Sequence, residues 1–250
     1  MKPSTPLAKL SPPRLSGALA RERLFVELDR LRAHGSSWIW APPGAGKTTL
    51  LASYIEARQA ASLWFECDGG DDDLASFFHH LSLAAGMPAR RSRSRTLPAF
   101  TATLASDPGG TAPGVAPRGV ADRGVADRGV ADRGVTDRSG FARDYFRALF
   151  AGLPAGCLVV FDNFEEADMP RLSALLCCAM EQLPDHLNLA VLSRHPPPPS
   201  FAHLQSNGRL ALMSPEPLRL TLEESGALGA HVGLSREVGL RLHEEAQGWA

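Results

Sequence analysis

Apolar residues fall in short runs that alternate with longer stretches of helical spacing. After an extended start at Pro12-Pro13-Arg14, Leu24, Leu28 and Leu31 recur at i, i+4 and i+7. That spacing predicts a helix over 19–31, closed by His34-Gly35. Ser37-Trp-Ile-Trp-Ala41 reads as a strand, followed by a glycine-rich turn and a helix through Leu50, Leu51, Tyr54 and Ile55. A second strand over 62–67 leads to Asp71-Asp72-Asp73, expected to cap a helix over 74–85 with negative charge at its N-terminus. Phe141, Tyr145, Phe146 and Phe150 place aromatic rings on one face of a further helix over 141–150. Residues 157–161 form a fully apolar strand ending in Asp162-Asn163, and a helix over 171–183 follows. Another strand, 187–192, ends in Ser193-Arg194, and a weaker one is expected at 210–213. Thr221-Leu-Glu-Glu224 opens a helical C-terminal segment with an N-cap and an acidic first turn. Short buried strands alternating with helices predict an α/β fold: a parallel sheet of about five strands between helices, plus the start of a helical lid.

The middle of the chain breaks this pattern. Residues 88–138 begin with Arg90, Arg91, Arg93 and Arg95 and end in a pentapeptide repeat running from Arg118 to Asp137. One valine in five residues cannot offset the entropy of ordering a chain, so the stretch is expected to be a flexible, charge-balanced insertion. The expected organisation is an N-terminal extension and helix (1–35), two parts of one domain (36–87 and 139–215) around the insertion, and the lid (216–250).

Composition narrows the function classes. Of 250 residues, 44% are hydrophobic and 21% charged, and the net charge is −1, so a general polyanion-binding surface is not expected. No apolar run approaches the ~18–20 residues of a membrane span, and the N-terminus lacks a signal-peptide core. A cytoplasmic protein without a membrane partner is the expectation. Four cysteines with no C-x-x-C pair suggest neither a disulfide framework nor a structural zinc.

Ala41-Pro-Pro-Gly-Ala-Gly-Lys-Thr-Thr49 carries the most information. Glycines let backbone N–H groups wrap an anion, and the next helix points its N-terminus at the same anion. Pro43, Gly44, Ala45, Gly46, Lys47, Thr48 and Thr49 are therefore candidate nucleotide-binding positions, a P-loop. Lys47 would reach the β- and γ-phosphates, and the Thr48 hydroxyl would ligate Mg²⁺. The strict pattern has glycine where this chain has Ala41. Asp162, at the end of an apolar strand, would hold Mg²⁺ through water opposite Thr48, as a Walker B aspartate does. The position that often activates water in P-loop ATPases is Asn163 here, with Glu165 and Glu166 just beyond as candidate substitutes. Arg194, at a neighbouring strand end, is the candidate contact to the γ-phosphate.

Taken in order, Lys9-Leu-Ser-Pro-Pro-Arg-Leu15, Arg21-Glu-Arg-Leu24, the loop at 41–49, Leu63-Trp-Phe-Glu-Cys-Asp68, Phe161-Asp-Asn-Phe164, Leu192-Ser-Arg194, Leu220-Thr-Leu-Glu-Glu224 and Gln247-Gly-Trp-Ala250 resemble the nucleotide domain of the MalT-like, LuxR-type transcriptional regulators, ATPases of the STAND class. That family commonly has alanine at the first loop position. The resemblance implies that Arg21 or its neighbours lie near the adenine, that Lys47 and Thr48 hold phosphates and Mg²⁺, and that Arg194 senses the γ-phosphate. It implies an ATP/ADP switch with slow hydrolysis, self-association in the full-length context, and DNA binding through a domain absent from these residues. The chain would then be a fragment, a truncated product or a free-standing domain. The rival expectations are a free-standing P-loop ATPase or phosphoryl transferase, and a degenerate remnant.

Other features have plainer expectations. Cys177-Cys178 should be small buried residues within a helix. His79-His80 has no acidic or cysteine partner at ligand spacing, and His195 should face solvent. Trp38 and Trp40 should pack between sheet and helices, and Pro196–Pro199 should stiffen a loop.

Overall fold

The computed structural model describes residues 8–15, 17–86, 97–98, 129–165 and 169–249. The first helix is α1 (Glu22–Arg32), which buries Leu24, Phe25, Leu28 and Leu31. Strand β1 (Ser36–Trp40) runs into the glycine loop and helix α2 (Lys47–Ala57). Strand β2 (Ser62–Glu66) and helix α3 (Leu74–Gly86) follow. Next come α4 (Gly129–Gly152), β3 (Leu158–Phe164), α5 (Pro170–Gln182) and β4 (Asn188–Ser193). The chain then passes through short α6 (Ala202–Ser206), β5 (Leu210–Met213) and α7 (Pro215–Leu218). It closes with α8 (Leu222–His231) and α9 (Arg236–Ala246).

The five strands form one all-parallel sheet in the order β2-β3-β4-β1-β5. Parallel neighbours cannot be joined by a tight turn, so each connection crosses a face of the sheet. Both faces are covered, which is why the strands read as unbroken apolar runs. Alternation within β3 sorts its side chains: Val159 and Phe161 enter the core shared with α3, α4 and α5, while Leu158 and Val160 enter the core shared with α1 and α2. Trp38 is buried as expected, edge-on to Phe164 and Phe201 at 5.5 and 5.1 Å. Its indole N–H donates to the His195 carbonyl at 2.9 Å.

Four local expectations need correction. Helix α4 starts at Gly129, inside the last repeats, rather than at Phe141. Once the aromatic turns are docked, extending a helix upstream costs only propagation, and no proline lies between Pro117 and Pro154 to stop it. The rest of the expected insertion lies almost wholly outside the described residues. Strand β3 runs past Asp162 to Phe164 because pairing continues on both sides: Cys67 N–H donates to the Asp162 carbonyl at 2.8 Å, and Phe164 pairs with Ser193 of β4. The ladder with β4 shifts register between Phe161 and Phe164.

The acidic cluster also does more than cap one helix. Asp73 accepts from Ser76 N–H at the start of α3, and Asp72 accepts from Arg171 N–H at the start of α5. Asp71 is fully buried and bonds Lys9 Nζ at 2.6 Å. Its other oxygen lies 3.8 Å from His80 Nδ1, so that histidine does have an acidic neighbour.

Candidate functional site

Strand β1, flanked by β4 and the edge strand β5, delivers the glycine loop to the end of the sheet. The loop is braced by Ala41 N–H on the Ser193 carbonyl (3.2 Å) and by Ala45 N–H on the Pro42 carbonyl (3.3 Å). Gly44 and Gly46 sit at φ +80° and +76°, a region glycine enters without steric cost. A Cβ on either would meet nothing within 4 Å, so the space beside them is open. Gly46 is also the N-cap of α2 and brings no side-chain acceptor to its first-turn N–H groups. A turn of this kind feeding a helix N-terminus suits an anion. Ala45 points into the core, whereas Pro43 and Thr49 are exposed.

Lys47 folds back over this loop and donates to the carbonyls of Ala41 (2.7 Å) and Pro42 (3.1 Å). Burial holds its ammonium below the ordinary lysine range; Asp162 and Glu165 oppose that shift and Arg194 adds to it. A lysine so placed gains from a nearby negative charge.

Thr48 Oγ1 donates to Asp162 Oδ1 at 3.1 Å, joining the first turn of α2 to β3. Asp162 is 6% exposed. Burial raises its carboxyl above the usual range, and the bonds from Thr48 and the Asn163 N–H pull it back only in part. The nearby Glu66 raises it further. A hydroxyl and a desolvated carboxylate side by side offer a hard cation two oxygen donors. Asn163 follows at φ +58°, a left-handed conformation that asparagine tolerates better than most residues. Its side-chain amide donates to the Cys67 carbonyl at 3.4 Å.

Glu165 lies where β3 and β4 end side by side. Its Oε1 accepts the Arg194 N–H at 3.0 Å and sits 3.5 Å from the Arg194 Nε. Oε2 is 3.8 Å from His195 Nε2. The carboxylate is thus engaged by the strand-end residues, and the Arg194 side chain is half exposed. Glu166 lies outside the described residues. Lys47, Thr48, Asp162, Glu165 and Arg194 therefore converge at the C-terminal ends of β1, β3 and β4.

Arg21 stands apart from this group. It is 9% exposed and donates to the carbonyls of Leu218 (2.9 Å) and Arg219 (2.7 Å) and to Glu224 (3.0 Å). Arg23 reinforces the same carboxylate at 3.0 Å. No local pattern signals these long-range pairs, or that of Glu165 with Arg194. Each joins residues far apart in the chain that only the sheet order and the packing of residues 217–224 against the start of α1 bring together.

No family model matches the chain. Over 226 aligned residues it is 25% identical to the HTH-type transcriptional regulator MalT of Cronobacter sakazakii. The chain is similar to MalT at the family level. The alignment covers 87% of this chain and 21% of MalT, so the chain spans about a fifth of that relative's length. At such coverage the likeness to MalT extends well beyond the glycine loop. Among the described residues no helix is long and apolar enough to cross a membrane.

Proposed function

We propose that this chain is the nucleotide-binding switch domain of a MalT-like transcriptional regulator, taking Mg²⁺ with ATP or ADP and hydrolysing ATP slowly. The observation that carries this reading is the convergence of an open glycine turn, Lys47 and the Thr48–Asp162 pair at one end of a parallel sheet. The residues fit the nucleotide. Backbone N–H groups of 44–48 and Lys47 would hold its phosphates, with Pro43 lining the turn, and Thr48 with Asp162 would hold the metal. Bound Mg²⁺ would neutralise phosphate charge. Lys47 would exchange its two carbonyl partners for phosphate oxygens. Arg194, held at its backbone and side chain by Glu165, would report the γ-phosphate.

Slow turnover is proposed because Asn163 offers no carboxylate and Glu165 is already bonded to Arg194 and its N–H. In a longer regulator, the nucleotide state would govern self-association and contact with DNA through other domains. The test is equilibrium binding of ATP and ADP with Mg²⁺ to wild type and Lys47→Ala, with phosphate release followed in the same samples. Micromolar binding lost in the folded mutant, with little phosphate release, supports the switch. Rapid release would favour a working ATPase, and no binding by folded wild type would overturn the reading.

A further inference from the structure

A second cluster of ligand-type side chains lies where α5 meets the segment that follows β4. Cys177 and Glu181 are four residues apart on α5 and project from one face. His203, in the first turn of α6, meets them: its Nε2 is 3.1 Å from Glu181 Oε1. The ligand atoms of all three lie within 4.8 Å of one another. The other imidazole nitrogen, Nδ1, faces the Ser200 carbonyl at 3.1 Å.

Both ring nitrogens thus face acceptors, and a neutral imidazole has one N–H to offer. With that N–H on the Ser200 carbonyl, the Nε2 lone pair points at a carboxylate oxygen. A cation between them, a proton or a metal ion, makes this favourable. Histidine ligands take this arrangement, with one nitrogen fixed by a backbone carbonyl and the other turned to the metal. The Cys177 thiol lies 3.8 Å from the same Ser200 carbonyl, so one peptide group holds two of the three donors in place.

We propose that Cys177, Glu181 and His203 form a three-ligand site for a divalent cation of the zinc class, with its fourth position open. Sulfur, imidazole nitrogen and one carboxylate oxygen select a borderline-soft ion over Mg²⁺. Cys177 is half-buried while Glu181 and His203 are exposed, which leaves the ion a path in. The site is separate from Thr48 and Asp162. Its ion would tie α5 to the stretch after Arg194, so metal occupancy would stiffen the loop carrying His195. Sequence spacing concealed it, because Cys177 and His203 are on different helices.

The experiment uses the full chain, reduced and stripped of metal, titrated with Co²⁺ as the probe. One Co²⁺ per chain is expected, with a thiolate-to-cobalt charge-transfer band and the strong visible bands of four-coordinate cobalt, both abolished by Zn²⁺. Cys177→Ser loses the charge-transfer band and His203→Gln loses one-to-one binding. Cys178→Ser, one position along and outside the cluster, keeps both. Circular dichroism checks that each variant is folded, and His203→Gln, at an exposed position, serves if Cys177→Ser is not. A folded wild type without the band overturns the site. So does a band that survives Cys177→Ser or disappears with Cys178→Ser.

Discussion

Asp162 is a carboxylate in a place that disfavours its charge. Burial raises its proton affinity, and only Thr48 and the Asn163 N–H compensate from within hydrogen-bond range. A group kept under such conditions costs stability and is a candidate for function. Asp162→Asn keeps an oxygen for both donors and removes the charge. Its thermal unfolding is expected to stay within about 1 kcal/mol of wild type or to rise, while Mg²⁺-dependent nucleotide binding is lost. A melting curve and a Mg²⁺ titration on the same sample check both halves; a large loss of stability would contradict the account. Lys47, Thr48 and Asp162 were legible in the sequence because loop chemistry and an apolar strand place them locally. Glu165 was legible only as a possible base. Its bonds to Arg194 depend on β3 and β4 being neighbours, which no local pattern states.

At the scale of elements, the contact between the start of α1 and the start of α8 is the main polar junction. Glu224 closes a capping box with Thr221 and also receives Arg21 and Arg23. Burial alone would raise its carboxyl, yet the bonds from Arg23 and Arg21 outweigh this and hold it below its ordinary value of 4.5. A lowered folded value means that the stabilisation is complete above that ordinary value and is lost as pH falls through the lowered one. Glu224→Gln should therefore cost about 2–3 kcal/mol at neutral pH, since it leaves Arg21 nearly buried without its counter-charge. It should also flatten the acid limb of a stability-versus-pH curve measured by urea unfolding. The capping box itself was readable from Thr221 and Glu224, but the arginines were not. The glycine of the Gly-Trp step also acquires a physical reason. Gly248 sits at φ +79°, and a Cβ there would approach the Leu220 carbonyl to 2.9 Å.

At the scale of the whole molecule, two cores share one sheet, and the larger depends on aromatic packing. Phe146 is fully buried between the rings of Phe78, Tyr145 and Phe150. Phe146→Ala should cost about 3–5 kcal/mol and release α4 from the sheet. Hydrogen exchange should then show α4 opening before β1 and β3, and uniform loss across the sheet would argue against a separable α4. The α/β class and its five strands followed from apolar runs with helical stretches between them. The strand order did not, because it is set by which crossovers pack against which face. The reach of α4 into the repeats was hidden as well, since glycine every fifth residue masks a helical period.

The junction at Glu224 also fixes where this polypeptide can be divided. Leu220 N–H donates to the Gly248 carbonyl at 2.6 Å, and the Arg219 guanidinium stacks over Trp249. Residues near the two ends of the described chain thus meet at one seam, through Arg21 and Arg23 on one side and residues 217–224 on the other. A recombinant boundary drawn after β5 would leave Arg21 without its carbonyl and carboxylate partners. The smallest excisable unit is therefore the sheet together with α8 and α9, and a shuffled or fused gene would have to inherit both.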